Sequence, residues 1–192
     1  MGLQGKGHTW VVMAGVVLAL ASASAGQRLV VDDFNDGTVP NALGGDFGTW
    51  NRYPEDLTQG CTQQFDPINA YGGAGYALRL NYDIDSLNRA QCGFWSKFGG
   101  VDLTPYHQLV LYLKGDPAGH TSQINVELKS EQEIGRYLLT GITETWQRFA
   151  IPFEQFEGLH DWSRVKELVI FFEHLTVTKL TGVIYLDEIA FE

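Results

Sequence analysis

The sequence predicts an all-β chain, an antiparallel jelly-roll β-sandwich, on three observations. Beyond residue 25, no stretch sustains apolar residues at helical spacing. Several short stretches instead alternate apolar and polar side chains or are rich in β-branched and aromatic types. Gly, Pro, Asn and Asp punctuate the intervals between them, as in sandwiches whose strands are joined by tight turns.

Strands are expected at Leu29–Phe34, Gln63–Phe65, Tyr76–Ile84, Cys92–Phe98, Gln108–Lys114, Gln123–Ser130, Arg136–Thr140, Gln147–Ile151, Glu167–Glu173 and Val183–Phe191. Gly-rich Leu43–Gly48 and Tyr71–Gly75 read as loops, as does Gly115–Gly119. Short helical turns are expected at Phe153–Phe156 and Asp161–Lys166. No internal repeat, low-complexity tract or linker divides the chain.

Ahead of the strands, residues 1–25 read as a signal peptide. Lys6 supplies the positive charge, an apolar run follows from Trp10 to Leu20, and Ala23-Ser24-Ala25 offers a small-residue cleavage site. The run from Trp10 to Ala25 is short of the ~20 apolar positions that span a bilayer, an uncleaved anchor being the alternative. Gly26, not a cysteine, follows the expected cut, so a lipid-modified N-terminus is not supported. Residues 26–192 then form a single domain, exported to the periplasm or the extracellular medium, with no membrane attachment after cleavage.

The chain carries 13 Lys and Arg against 23 Asp and Glu, and the leader removes one further cation. Such a surface repels phosphate backbones and anionic lipid, which excludes nucleic acid and anionic membranes as partners. Two cysteines, Cys61 and Cys92, fall in the mature part. In an oxidising compartment an even pair favours a disulfide over two free thiols. Closing that loop of about 30 residues contributes ~3–4 kcal/mol on the chain-entropy description.

Alternation also assigns faces. Leu78, Leu80, Tyr82 and Ile84 point one way and Arg79, Asn81 and Asp83 the other. Ile124, Val126 and Leu128 oppose Asn125, Glu127 and Lys129, and Leu109, Leu111 and Leu113 oppose Val110, Tyr112 and Lys114. If the three strands share a sheet, its outer face is a platform of Arg, Asn, Asp, Glu, Lys and Tyr suited to sugar hydroxyls. A plain solvated sheet face is the alternative.

Four segments carry a family resemblance. Val31-Asp32-Asp33-Phe34-Asn35 stands at the first strand, and Asp102-Leu103-Thr104-Pro105-Tyr106 leads into Leu109–Asp116. Thr145-Trp146-Gln147-Arg148-Phe149-Ala150-Ile151-Pro152-Phe153 is followed by Phe156, and Tyr185-Leu186-Asp187-Glu188-Ile189 closes the chain. In this order they resemble the galactose-binding-domain-like β-sandwiches, among them family 11-type carbohydrate-binding modules and relatives of the complex I intermediate-associated protein. The resemblance implies a sandwich that binds a poly- or oligosaccharide without catalysis, or an assembly factor using the same surface for a protein partner.

The resemblance also implies one structural calcium ion tying the first strand to the last. Asp33, Asn35 and Asp187 match its ligands, with Asp32 replacing Asp33 if the register shifts by one, and carbonyls of Gly44–Asp46 as further donors. It makes Trp146 a packing residue, with Phe94, Phe171 and Phe172. Sugar binding needs aromatic faces for the apolar side of a pyranose and planar polar groups for its hydroxyls. Trp50, Tyr53, Trp95, Tyr112 and Tyr137 are the candidate aromatics. Arg79, Asn81, Asp83, Glu127, Lys129 and Arg136 are the candidate donors and acceptors. Hydrolysis ranks last. No two acidic residues form a recognisable catalytic spacing, the histidines show no H-x-x-x-H, and there is no G-x-S-x-G elbow.

Overall fold

The computed structural model describes residues 1–2 and 27–192, so the expected leader lies almost wholly outside the described residues. Among the described residues, eleven strands build two antiparallel sheets. They are β1 (Leu29–Asp32), β2 (Phe47–Asn51), β3 (Gly60–Asp66), β4 (Ala77–Asp83), β5 (Gln91–Val101), β6 (Gln108–Gly115), β7 (Gln123–Lys129), β8 (Ile134–Thr140), β9 (Gln147–Pro152), β10 (Val165–Glu173) and β11 (Thr181–Phe191). Every strand expected from the sequence is present, and β2 is an addition. A 3₁₀ turn occupies Phe153–Gln155, as expected. The segment 161–166 has no helix; Asp161 instead caps a turn by accepting from the Ser163 amide and hydroxyl.

One sheet runs β3-β4-β11-β6-β9 and the other β2-β5-β10-β7-β8. Strand β1 lies against β11 where β4 has ended: β4 pairs with Thr181–Leu186, β1 with Ile189–Phe191. Both members of the β1/β11 pair are irregular there. The register slips between Val30 and Asp32 and between Asp187 and Ala190, with Glu188 at φ 49°.

Alternation decides what the sheets bury. Leu78, Leu80 and Tyr82 of β4 and Leu109, Leu111 and Leu113 of β6 face inward, against Ile124, Val126 and Leu128 of β7 and Leu168, Ile170 and Phe172 of β10. Tyr82 stacks on Phe172 with ring centroids 4.0 Å apart and planes 6° from parallel, a contact worth about 0.5–1.5 kcal/mol beyond its buried area. Cys61 and Cys92 meet across the same interface, one from each sheet. They are two buried free thiols in hydrogen-bond contact. That hydrogen bond and burial push the Cys61 thiol well up.

The two-sheet arrangement separates residues that the sequence reading grouped. Strands β4 and β6 belong to one sheet and β7 to the other, so their polar rows face opposite sides of the molecule. Alternation fixes which side chains share a face of a strand, but it does not say which sheet the strand joins.

Candidate functional site

The register of the five-stranded sheet sets its outer face in transverse rows. One row crosses all five strands as Gly48, Trp95, Val169, Glu127 and Arg136. The next runs Trp50, Gly93, Phe171, Asn125 and Leu138. On the other side of the Trp95 row stand Lys97, Glu167, Lys129 and Ile134.

In both central rows a tryptophan is paired with a glycine on the adjacent strand. A Cβ at Gly48 would sit 2.9 Å from Trp95 Cζ2, so the indole lies across β2 where that strand has no side chain. Trp50 reaches over Gly93 toward Phe171, ring centroids 6.4 Å apart at 47°. A Cβ at Gly93 would lie 2.8 Å from that of Phe171. Two indoles, Val169 and Phe171 thus make an apolar stripe along the middle of the sheet. Lys97 Nζ stands 4.8 Å from the Trp95 ring centroid.

Polar groups flank the stripe. Glu127, 5% exposed, accepts from Arg136 Nε at 2.7 Å, and Lys129 Nζ bridges Glu127 at 3.5 Å and Glu167 at 3.2 Å. At the far end Arg52 donates to Gln91 Oε1 at 2.8 Å and Gln91 Nε2 to Glu173 at 2.7 Å. Two depressions, about 420 and 250 Å³, share Trp50, Lys129 and Val169. A third, about 510 Å³, continues past Lys97 and Glu167. Together they form a shallow groove along β10, whose length from Glu167 to Glu173 is about 20 Å at ~3.3 Å per residue. Its carboxylates Glu127 and Glu167 are both engaged by Lys129, which makes the groove a fixed hydrogen-bonding surface beside apolar ring faces.

Of the residues singled out in the sequence, Trp50, Trp95, Glu127, Lys129 and Arg136 come together here. Arg79, Asn81 and Tyr112 stand on the opposite face of the molecule, on the outer side of the six-stranded sheet. Tyr137 turns inward and packs on Phe156 at 6.0 Å, because Gly135, Tyr137 and Leu139 are the inner set of β8. Tyr53 follows β2 in a turn beside Arg52. Phe171, expected in the core, faces the groove, since it alternates with Phe172. Trp146, also expected in the core, lies half-buried beside Tyr71. Val169, Glu167, Lys97, Gln91 and Glu173 complete the groove and escaped the sequence reading.

A second cluster lies where β1 and β11 are both irregular. Asp32 is 6% exposed and Asp187 2%. Asp32 Oδ1 accepts from the Phe34 amide and its Oδ2 has no partner among the described residues; Asp187 accepts from the Tyr71 and Glu188 amides. Burial, with repulsion from neighbouring acids, pushes the Asp32 carboxyl up to about 7 and that of Asp187 up to about 6. Asp33 is partly exposed and caps the Asn35 amide, and Asn35 packs against Gly75. The buried acid here is therefore Asp32, the register-shifted alternative. Among the described residues, no group of three or more His, Cys, Asp or Glu side chains converges as a metal site. A cation held here would thus need backbone or amide oxygens beside Asp32 and Asp187.

The sandwich is similar to solved structures that share little sequence with it. A family 11 carbohydrate-binding module from Clostridium thermocellum, in complex with a β-1,3-1,4-mixed-linked tetrasaccharide, superposes with a TM-score of 0.65 at 15% identity, covering 88% of this chain and 96% of that one. The family 11 module of the cellulosomal cellulase Lic26A-Cel5E of the same organism gives 0.64 at 15% identity, covering 88% and 95%. The CBM22-1 xylan-binding domain of Paenibacillus barcinonensis Xyn10C gives 0.53 at 12% identity, covering 89% and 97%. No curated protein matches in sequence. The family described as Carbohydrate binding domain 30 matches residues 40–192, which span everything from just before β2 to the last residue. The chain therefore belongs to the carbohydrate binding domain 30 family.

Proposed function

We propose that the chain is an exported, non-catalytic binding protein that lays a polysaccharide or oligosaccharide along the groove of the five-stranded sheet. The observation that carries this reading is the seating of Trp50 and Trp95 in adjacent rows, each over a glycine, beside Glu127, Lys129 and Arg136. Indole faces take the apolar side of successive sugar rings, and the ion-paired side chains offer fixed donors and acceptors to hydroxyls. The groove is open along its length, which suits the interior of a chain. A structural neighbour bound to a mixed-linked tetrasaccharide supports the ligand class.

The test is affinity electrophoresis through gels containing soluble β-glucan or xylan. Retardation of the wild type is expected, with Trp50→Ala and Trp95→Ala each weakening binding by ~2 kcal/mol or more, the size of an interface hot spot. Wild-type mobility unchanged in every polysaccharide would overturn the reading.

The same reading includes one structural calcium ion held by Asp32 and Asp187. Hard oxygen donors suit it, and an unpartnered buried carboxylate oxygen fits a cation better than empty space. When bound, the ion would neutralise two buried acids and tie the first strand to the last.

A further inference from the structure

The face opposite the groove has its own stacking and hydrogen-bonding groups. A row across the six-stranded sheet runs Gln64, Arg79, Tyr185 and Lys114, followed by Thr62, Asn81 and Val183. At one end Tyr71, 39% exposed, leans on Tyr112 with ring centroids 4.3 Å apart and stands edge-on to Trp146 at 5.8 Å. The loop bearing Tyr71 follows it with Gly72, Gly73 and Gly75, all at positive φ, a path that side-chain-bearing residues rarely take. Its backbone is fixed by the bond from the Tyr71 amide to Asp187 at 2.9 Å. Lys114 Nζ sits between the aromatics, 5.7 Å from the Trp146 centroid and 4.9 Å from that of Tyr185, and donates to Asn69 at 2.6 Å.

At the other end a depression of about 460 Å³ is lined by Gln59, Thr62, Asn81, Asp83 and Thr181 among others. Gln59 is buried, and its Oε1 has no hydrogen-bond partner among the described residues.

Part of the charge around this face is closed off in ion pairs, while Lys114 donates to the neutral Asn69. Arg148 bonds Glu192 and Arg28 bonds Glu188, both at 2.5 Å, and the Tyr185 hydroxyl donates to Asp116 at 2.7 Å. A chain of net charge −10 offers a polyanion little here. Between the two ends lie Gln, Arg, Asn, Thr and Lys in place of the contiguous apolar patch that a protein partner would use. Aromatic faces beside rows of Gln, Arg, Asn, Thr and Lys donors and acceptors are the complement of a polyol.

We propose that this face is a second glycan-binding surface, so that one molecule can hold two polysaccharide chains on opposite sides. The inference takes only its ligand class from the groove reading. Its consequence is bridging: each chain held on one face raises the local concentration of the other.

The probe is a β-1,3-1,4-mixed-linked tetrasaccharide titrated into ¹⁵N-labelled protein, following amide shifts. In the wild type, shifts are expected both at Trp50, Trp95 and Arg136 and at Tyr71, Asn81 and Lys114. Trp50→Ala/Trp95→Ala should abolish the first set and spare the second, and Tyr71→Ala/Trp146→Ala the reverse, the surviving set showing that each variant is folded. Shifts confined to the groove overturn the second surface and leave the groove standing. Shifts confined to the opposite face overturn the groove reading alone, and a spectrum that does not move overturns both.

Discussion

The indole of Trp95 lies over Gly48, its partner across the β2–β5 pair, at a spacing where a Cβ at position 48 would sit 2.9 Å from Cζ2. The platform therefore depends on a missing side chain as much as on the tryptophan. Gly48→Val should tilt the indole off the sheet and weaken glycan binding about tenfold, or ~1.4 kcal/mol. β2 is an edge strand and valine favours extended backbone, so the melting temperature should change little. Isothermal titration and thermal melts on the same variant separate the two effects. Undiminished affinity would show that Trp95 does not need this seat.

Cys61 and Cys92 face each other from different sheets, both buried. We expect oxidation in an exported chain to join them, fastening the sheets together. A free-thiol assay on denatured protein recovered from an oxidising compartment should then find none. Relative to the reduced protein, the oxidised form should gain up to about 3–4 kcal/mol. Two reactive thiols per chain would defeat the expectation.

Asp32 and Asp187 make stability depend on pH in a direction opposite to that of paired surface acids. Both carboxyls are pushed up in the folded state, to about 7 and about 6, whereas the unfolded chain holds them near ordinary values. The folded state therefore binds more protons across that interval, and stability falls as pH rises from above 4 through 7. Metal-free protein should melt higher at pH 5 than at pH 8, by at least the ~2–4 °C that 1 kcal/mol represents in a domain of this size. Calcium should raise the transition at pH 8 and much less at pH 5, where protons compete. A transition insensitive to both chelator and pH would remove the metal proposal and the raised carboxyls together.

Period-two alternation was enough to place ten strands, because Leu78-Arg79-Leu80-Asn81-Tyr82 and Ile124-Asn125-Val126-Glu127-Leu128 leave no doubt about which side is buried. β2 was illegible for a local reason. Its five residues, Phe47-Gly48-Thr49-Trp50-Asn51, follow a Gly-rich stretch and include a glycine themselves. That glycine is a strand position used to seat an indole, although by composition it reads as a loop. The site was half legible. Trp50, Trp95, Glu127, Lys129 and Arg136 were recognisable by chemistry, but the partition of Arg79, Asn81 and Tyr112 to the other face depends on sheet membership, a non-local property. Phe171 and Phe172 show the same limit on a small scale. Adjacent residues of one strand cannot share a face, and only the stacking of Phe172 on Tyr82 reveals which of the two is core.

Glu127 links the polar flank of the groove, accepting from Arg136 and pairing with Lys129 while 5% exposed. Removing its charge leaves two cations without that partner, but neither is stranded. The Arg136 side chain is 69% exposed and rehydrates, and Lys129 keeps Glu167. Glu127→Leu should therefore cost no more than ~1 kcal/mol of stability, well below the loss expected when a fully buried pair is broken. Binding should suffer more than folding, because Arg136 loses the contact that aims it across the groove. A double-mutant cycle with Arg136→Met measures this directly: if Glu127 acts on the ligand by holding Arg136, the binding losses of the single variants should not add, with a coupling of ~0.5 kcal/mol or more. Fully additive losses would mean that the two side chains meet the sugar independently.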